Sequence, residues 1–77
     1  MHDQVHGDFL GRLRSEFNDL SPNEQRLSAF LRLNLSTKEI AKIMIISSRG
    51  VEIARYRLRK KLGLQKGQNL TKFLLEY

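Results

Sequence analysis

The sequence contains no cysteine, so neither a disulfide nor a cysteine-ligated zinc site is available, and the chain fits a reducing, cytoplasmic setting. No apolar run approaches the roughly 18 residues of a membrane span, and no signal-peptide core is present, so an anchor would have to lie elsewhere in a longer parent protein. Phosphate-cradling glycine loops are missing, as are Ser/His/Asp and Cys/His sets. The acidic pairs Asp3/Asp8 and Glu16/Asp19 have no cleft to raise a carboxylate pKa, and Tyr56 has no base beside it. Neither an enzyme nor a cofactor is expected. Histidine occurs twice, as His2-x-x-x-His6; with Gly7 next and no third ligand, a terminal tail outweighs a metal site. At 77 residues there is room for one small domain near the lower limit of a self-sufficient core.

Positive charge is present, and it is unevenly placed. The net charge is +6, while residues 1–20 are net acidic and residues 47–64 hold six cations against one carboxylate, Glu52. A concentrated basic stripe favours a polyanion as partner. An anionic membrane competes less well, because the apolar face of the same segment is needed for a core.

That segment belongs to a stretch, residues 36–64, that reads as two helices joined by a tight turn. Ser36 with Glu39 makes a capping box, and Ile40, Ile43 and Met44 fall on one helix face. Ile45-Ile46-Ser47 breaks the period, and Ser47 or Ser48 can cap a second helix with Val51, Ala54, Leu58 and Leu62 inward. Opposite that core stripe, at 100° per residue, stand Arg49, Ile53, Tyr56 and Lys60, flanked by Glu52, Arg57 and Arg59. An Ile and a Tyr facing out among cations suit the DNA major groove, where arginine meets guanine or phosphate and an aliphatic group meets the thymine methyl. Packing on another helix or subunit is the alternative.

The remaining chain supplies supporting helices. Residues 1–8 have no apolar period and are expected to fray. Residues 8–19 form an amphipathic stripe of Phe9, Leu10, Leu13, Phe17 and Leu20, expected to pack on the domain and link it to an upstream module. Ser21-Pro22-Asn23-Glu24 starts the next helix, with Leu27, Phe30, Leu31 and Leu33 as its buried side and Asn34 at its end; Arg26 and Arg32 read as solvated surface. Asn69 caps a last short helix carrying Leu70, Phe73, Leu74 and Tyr77 at helical spacing. These four face either the chain's own domain or a twin subunit, the latter slightly preferred.

The fragments LSPNE (20–24), LSTKEIA (35–41), IS (46–47), Val51 and KLGL (61–64) stand in ungapped register. Residues 20–64 thereby resemble the LuxR/NarL-type (GerE-like) helix-turn-helix domain of bacterial transcription regulators. The resemblance implies an all-α, four-helix domain of the winged-helix-like superfamily without a wing, here residues 20–77, preceded by the tail and linker helix at 1–19. It implies sequence-specific binding of double-stranded DNA, with the helix at about 47–61 in the major groove. On the matching positions, Glu52, Ile53 and Tyr56 would face bases, helped by Arg49 and Arg57. Thr37, Lys38, Ser48, Arg55, Arg59 and Lys60 would hold phosphates. The last helix would mediate a homodimer through Leu70, Phe73, Leu74 and Tyr77, and partners would include an upstream sensor domain, some of them membrane-anchored, and RNA polymerase.

This chain departs from the family where Gly50 replaces a usual Thr or Ser, Glu52 a cation, Ala54 a His and Asn34 a Gly, so the fold carries over and the base preference does not. Two other readings stay open: an adaptor that uses Ile53 and Tyr56 to bind a protein, and RNA binding, disfavoured because the A-form major groove excludes a helix.

Overall fold

In a computed structural model of the chain, residues 4–77 are described, with side chains from Asp8 onward. The described residues form five helices and no strand: α1 (Gln4–Glu16), α2 (Pro22–Arg32), α3 (Thr37–Met44), α4 (Ser48–Lys61) and α5 (Leu70–Glu76). The all-α expectation therefore holds. The histidine pair lies outside the residues whose side chains are described.

Local chemistry sets the helix starts. Ser21 and Glu24 exchange bonds, the Ser21 amide donating to Glu24 Oε1 at 2.8 Å and the Glu24 amide to Ser21 Oγ at 3.2 Å. Ser36 and Glu39 repeat the pattern at 2.8 and 3.1 Å. For α4 the cap is Ser47, whose Oγ accepts from the Gly50 amide at 3.0 Å; for α5 it is Asn69, whose Oδ1 accepts from the Lys72 amide at 2.9 Å. Each bond satisfies an amide that the helix itself leaves open.

Three helix ends share one geometry, a left-handed residue followed by an amide that reaches back five residues. Asn34 (φ 64°) ends α2, with Leu35 donating to the Phe30 carbonyl at 3.2 Å. Gly63 (φ 74°) ends α4, with Leu64 donating to the Arg59 carbonyl at 3.0 Å. Ile45 (φ 58°) ends α3, with Ile46 donating to the Ala41 carbonyl at 3.0 Å. A β-branched side chain is strained in this conformation, and Ile45 is 88% exposed, so no burial offsets the strain. Replacing it with Asn, as at position 34, is expected to raise stability by about 1 kcal/mol. Urea unfolding of Ile45→Asn tests this, and an unchanged or lower midpoint refutes it.

One core joins all five helices: Phe9 and Leu13 from α1, Leu20, Leu27 and Leu31, Ile40 and Ala41, Val51, Leu58 and Leu62, and Leu70 and Leu74. Ser28 is also fully buried, its hydroxyl donating to the Glu24 carbonyl at 2.9 Å. Helix α3 packs on α4, and α2 packs on α1, α4 and α5, so α2 is the central pillar.

Four expectations are corrected. Helix α1 starts at Gln4 rather than residue 8 and ends at Glu16 rather than 19; Asn18-Asp19 form a turn that sends Leu20 back into the core, its amide donating to the Phe17 carbonyl at 3.3 Å. Leu33 is 58% exposed, because α2 stops at Arg32 and Leu33 falls off the Leu27/Leu31 stripe. Ile43 is 47% exposed, since the inner face of the two-turn α3 is taken by Ile40 and Ala41. Leu70 and Leu74, expected at a dimer contact, are buried in the chain's own core, where a seven-residue helix must place its apolar pair to exist at all.

Candidate nucleic-acid interface

Helix α3, the three-residue turn Ile45–Ser47 and α4 form a helix-turn-helix. The tight turn has two local causes: the left-handed Ile45 ends α3, and Ser47 at once caps α4. Gly50 sits where Ser47 accepts its amide; a Cβ there would come to 3.3 Å from Ser47 Oγ, so a larger residue requires that hydroxyl to give.

Inward, α4 buries Val51 and Leu58, with Leu62 at its C-cap; Ala54 is half-buried at the rim. Outward it exposes Arg49, Glu52, Ile53, Tyr56, Arg57 and Lys60, while Arg55 is half-buried. The Lys60 ammonium lies 4.9 Å from the centroid of the Tyr56 ring, a cation–π contact along the helix surface. At the head of α3, Lys38 is exposed and Thr37 half-buried; Ser48, the first residue of α4, is exposed.

The remaining cations on α4 are held by the fold. Arg59, expected on a phosphate, instead donates to the backbone carbonyls of Gln65 (2.9 Å) and Gln68, fastening the loop between α4 and α5. Its position in the last turn of α4 brings its guanidinium within reach of these loop carbonyls. Lys61 reaches across to α2, donating to Glu24 Oε1 at 2.9 Å and to the Asp19 carbonyl at 3.0 Å. Partial burial disfavours the charged Glu24 carboxylate, but hydrogen bonds from Lys61 and the Ser21 amide outweigh it and hold its pKa below the ordinary 4.5. A depressed folded pKa adds stability that is complete above the unfolded value and lost as pH falls through the folded one. Lys61→Met is therefore expected to cost about 0.5–1 kcal/mol at neutral pH. The deficit should shrink once Glu24 is protonated. Urea midpoints at pH 7 and pH 3 measure it, and an equal deficit at both would refute the ion-pair origin.

Arg57 turns to the flank facing α2, where it lines a groove with Asn23, Arg26, Met44, Ile46 and Ala54. Arg26, which the sequence alone left as solvated surface, thus stands beside the basic face. No local signal connects residue 26 to residue 57; only the packing of α2 on α4 does.

At the far side, Tyr77 clasps α1 to α5. Its ring meets Phe9 edge-on at 6.1 Å and Phe73 at 5.7 Å, and its hydroxyl donates to the Glu16 carboxylate. Burial and the neighbouring Glu16 carboxylate push the phenol pKa up to about 12. Leu75 is 49% exposed on the same helix. Among the described residues no helix is long and apolar enough to cross a membrane, and no group of three or more potential metal ligands occurs.

The family model GerE, described as bacterial regulatory proteins of the luxR family, matches residues 18–74. Neither a curated protein nor a solved structure matches the chain. The matched span covers the helix-turn-helix and the helices that brace it, and the chain belongs to the luxR family of bacterial regulatory proteins, DNA-binding transcription-regulator domains rather than enzymes.

Proposed function

We propose that the chain binds double-stranded DNA sequence-specifically, with α4 in the major groove, as the output domain of a bacterial transcription regulator. The observation that carries this is the exposed face of α4, where Arg49, Glu52, Ile53, Tyr56, Arg57 and Lys60 all stand outside the core on one rigid helix. Arg49, Glu52, Ile53, Tyr56 and Arg57 contact bases; Thr37, Lys38, Ser48, Arg55 and Lys60 hold phosphates, joined by Arg26 on the Arg57 flank. The amides at the starts of α3 and α4 favour the same anions. Arg59 drops out of the phosphate set because its guanidinium serves the loop.

An upstream sensor and RNA polymerase are the natural partners of such a domain, and the cytoplasm is where it meets DNA. A homodimer through α5 would use Leu75 with the half-buried Phe73 and Tyr77, since Leu70 and Leu74 are committed to the core. The adaptor reading draws support from the apolar Ile43 and Ile45, which are exposed at the C-terminal end of α3.

Selection of the 77-residue chain against a pool of random duplexes tests the proposal. An enriched half-site bound well above the pool supports it. Binding with no enrichment favours the adaptor, and no binding at low salt refutes the DNA reading.

A further inference from the structure

We propose that Ile53 and Tyr56 form an apolar platform that reads the C5 methyl group of thymine in the major groove. The inference rests on the double-stranded DNA reading above. Ile53 is 43% and Tyr56 59% exposed, and neither belongs to the hydrophobic core or to the side chains packed on it. Three residues apart on α4, they are surface neighbours on its outward side. Arg49 and Lys60 lie along the same outward stripe and draw it toward a polyanion.

The thymine methyl is the apolar group that the bases present in the major groove; their other edge groups there are hydrogen-bond donors and acceptors. An Ile and a Tyr ring laid against amines and carbonyls would strip them of water without replacing their hydrogen bonds. Against a methyl group the same surface loses nothing and gains contact. The Lys60 ammonium, 4.9 Å from the Tyr56 ring centroid, restricts the ring, so little side-chain freedom is lost on docking. Glu52, adjacent to Ile53 and one turn before Tyr56, sharpens the choice. Its carboxylate accepts from the exocyclic amine of cytosine or adenine and is repelled by the acceptor pair of guanine. The platform therefore reads a thymine next to an amine-bearing base.

The test uses the 77-residue chain and a duplex enriched by selection, made with thymine or with deoxyuridine, which lacks only the methyl. At one or two positions uracil should weaken binding by about three- to fivefold per methyl removed. The double variant Ile53→Ala/Tyr56→Ala, checked for native helicity by circular dichroism, should bind both duplexes alike. Two results overturn the proposal while leaving specific DNA binding intact: equal affinity of the native chain for both duplexes at every thymine, or an undiminished uracil penalty in the double variant. Failure to enrich any duplex overturns the DNA reading and the platform with it.

Discussion

Phe9→Ala is expected to cost about 3–4 kcal/mol of folding free energy, one of the largest single-site effects in the chain. Phe9 is 2% exposed, edge-on to Tyr77, and covered by the Arg32 guanidinium at 4.4 Å from its ring centroid. Removing the ring opens a cavity between α1 and α5 and takes away the surface against which Tyr77 lies. A chain of this length has roughly 4–12 kcal/mol of stability in total, so the variant should be close to its unfolding threshold. The site is informative because α1, ending at Glu16, precedes the span matched by the luxR family, yet Phe9 and Leu13 sit in the same core as Leu58 and Leu74. If α1 belongs to the cooperative unit, urea unfolding of Phe9→Ala stays a single transition with a strongly lowered midpoint. A loss below about 1 kcal/mol, comparable to that of a surface change such as Leu33→Ala, would make α1 a dispensable linker.

The starts of α2, α3 and α5 were legible in the sequence because their causes are local. Ser21, Ser36 and Asn69 each bond an amide three residues on, and the first two are answered by Glu24 and Glu39. In the second capping box the bond from the Ser36 amide lowers the Glu39 carboxylate pKa. The outward stripe of α4 was legible from the 3.6-residue period, given that Val51 and Leu58 fix the inward direction.

What escaped was decided across the fold. The Arg59 guanidinium spans to carbonyls six and nine residues on, through a loop whose path no spacing rule supplies. Leu70 and Leu74 read only slightly better as dimer seam than as core, because a short apolar stripe carries no record of which surface covers it. The left-handed Ile45 was hidden for the opposite reason: its residue type argues against the conformation, and the demand for a tight turn between α3 and α4 prevailed.

Salt should separate the two kinds of basic residue that the structure distinguishes. If three to five cations, among them Lys38, Arg55 and Lys60, neutralise phosphates, a fourfold rise in salt lowers duplex affinity on the order of 10²-fold. Lys38→Ala should then weaken every duplex alike and flatten the slope of log affinity against log salt by about one unit. Lys38 stands exposed at the head of α3, outside the core, so the substitution leaves the fold intact. Arg59→Ala should behave differently. Its guanidinium is engaged with the Gln65 and Gln68 carbonyls, so its loss should lower the melting temperature and loosen the α4–α5 loop while leaving the salt slope nearly unchanged. Sequence alone made these two cations interchangeable; the structure leaves Lys38 exposed at the head of α3 and engages Arg59 with the loop carbonyls. A Lys38→Ala slope equal to that of the native chain would move this cation off the DNA. Equal flattening by Arg59→Ala would mean that DNA draws the arginine out of its loop contacts, and a flat slope in the native chain would leave the basic face of α4 without a polyanion partner.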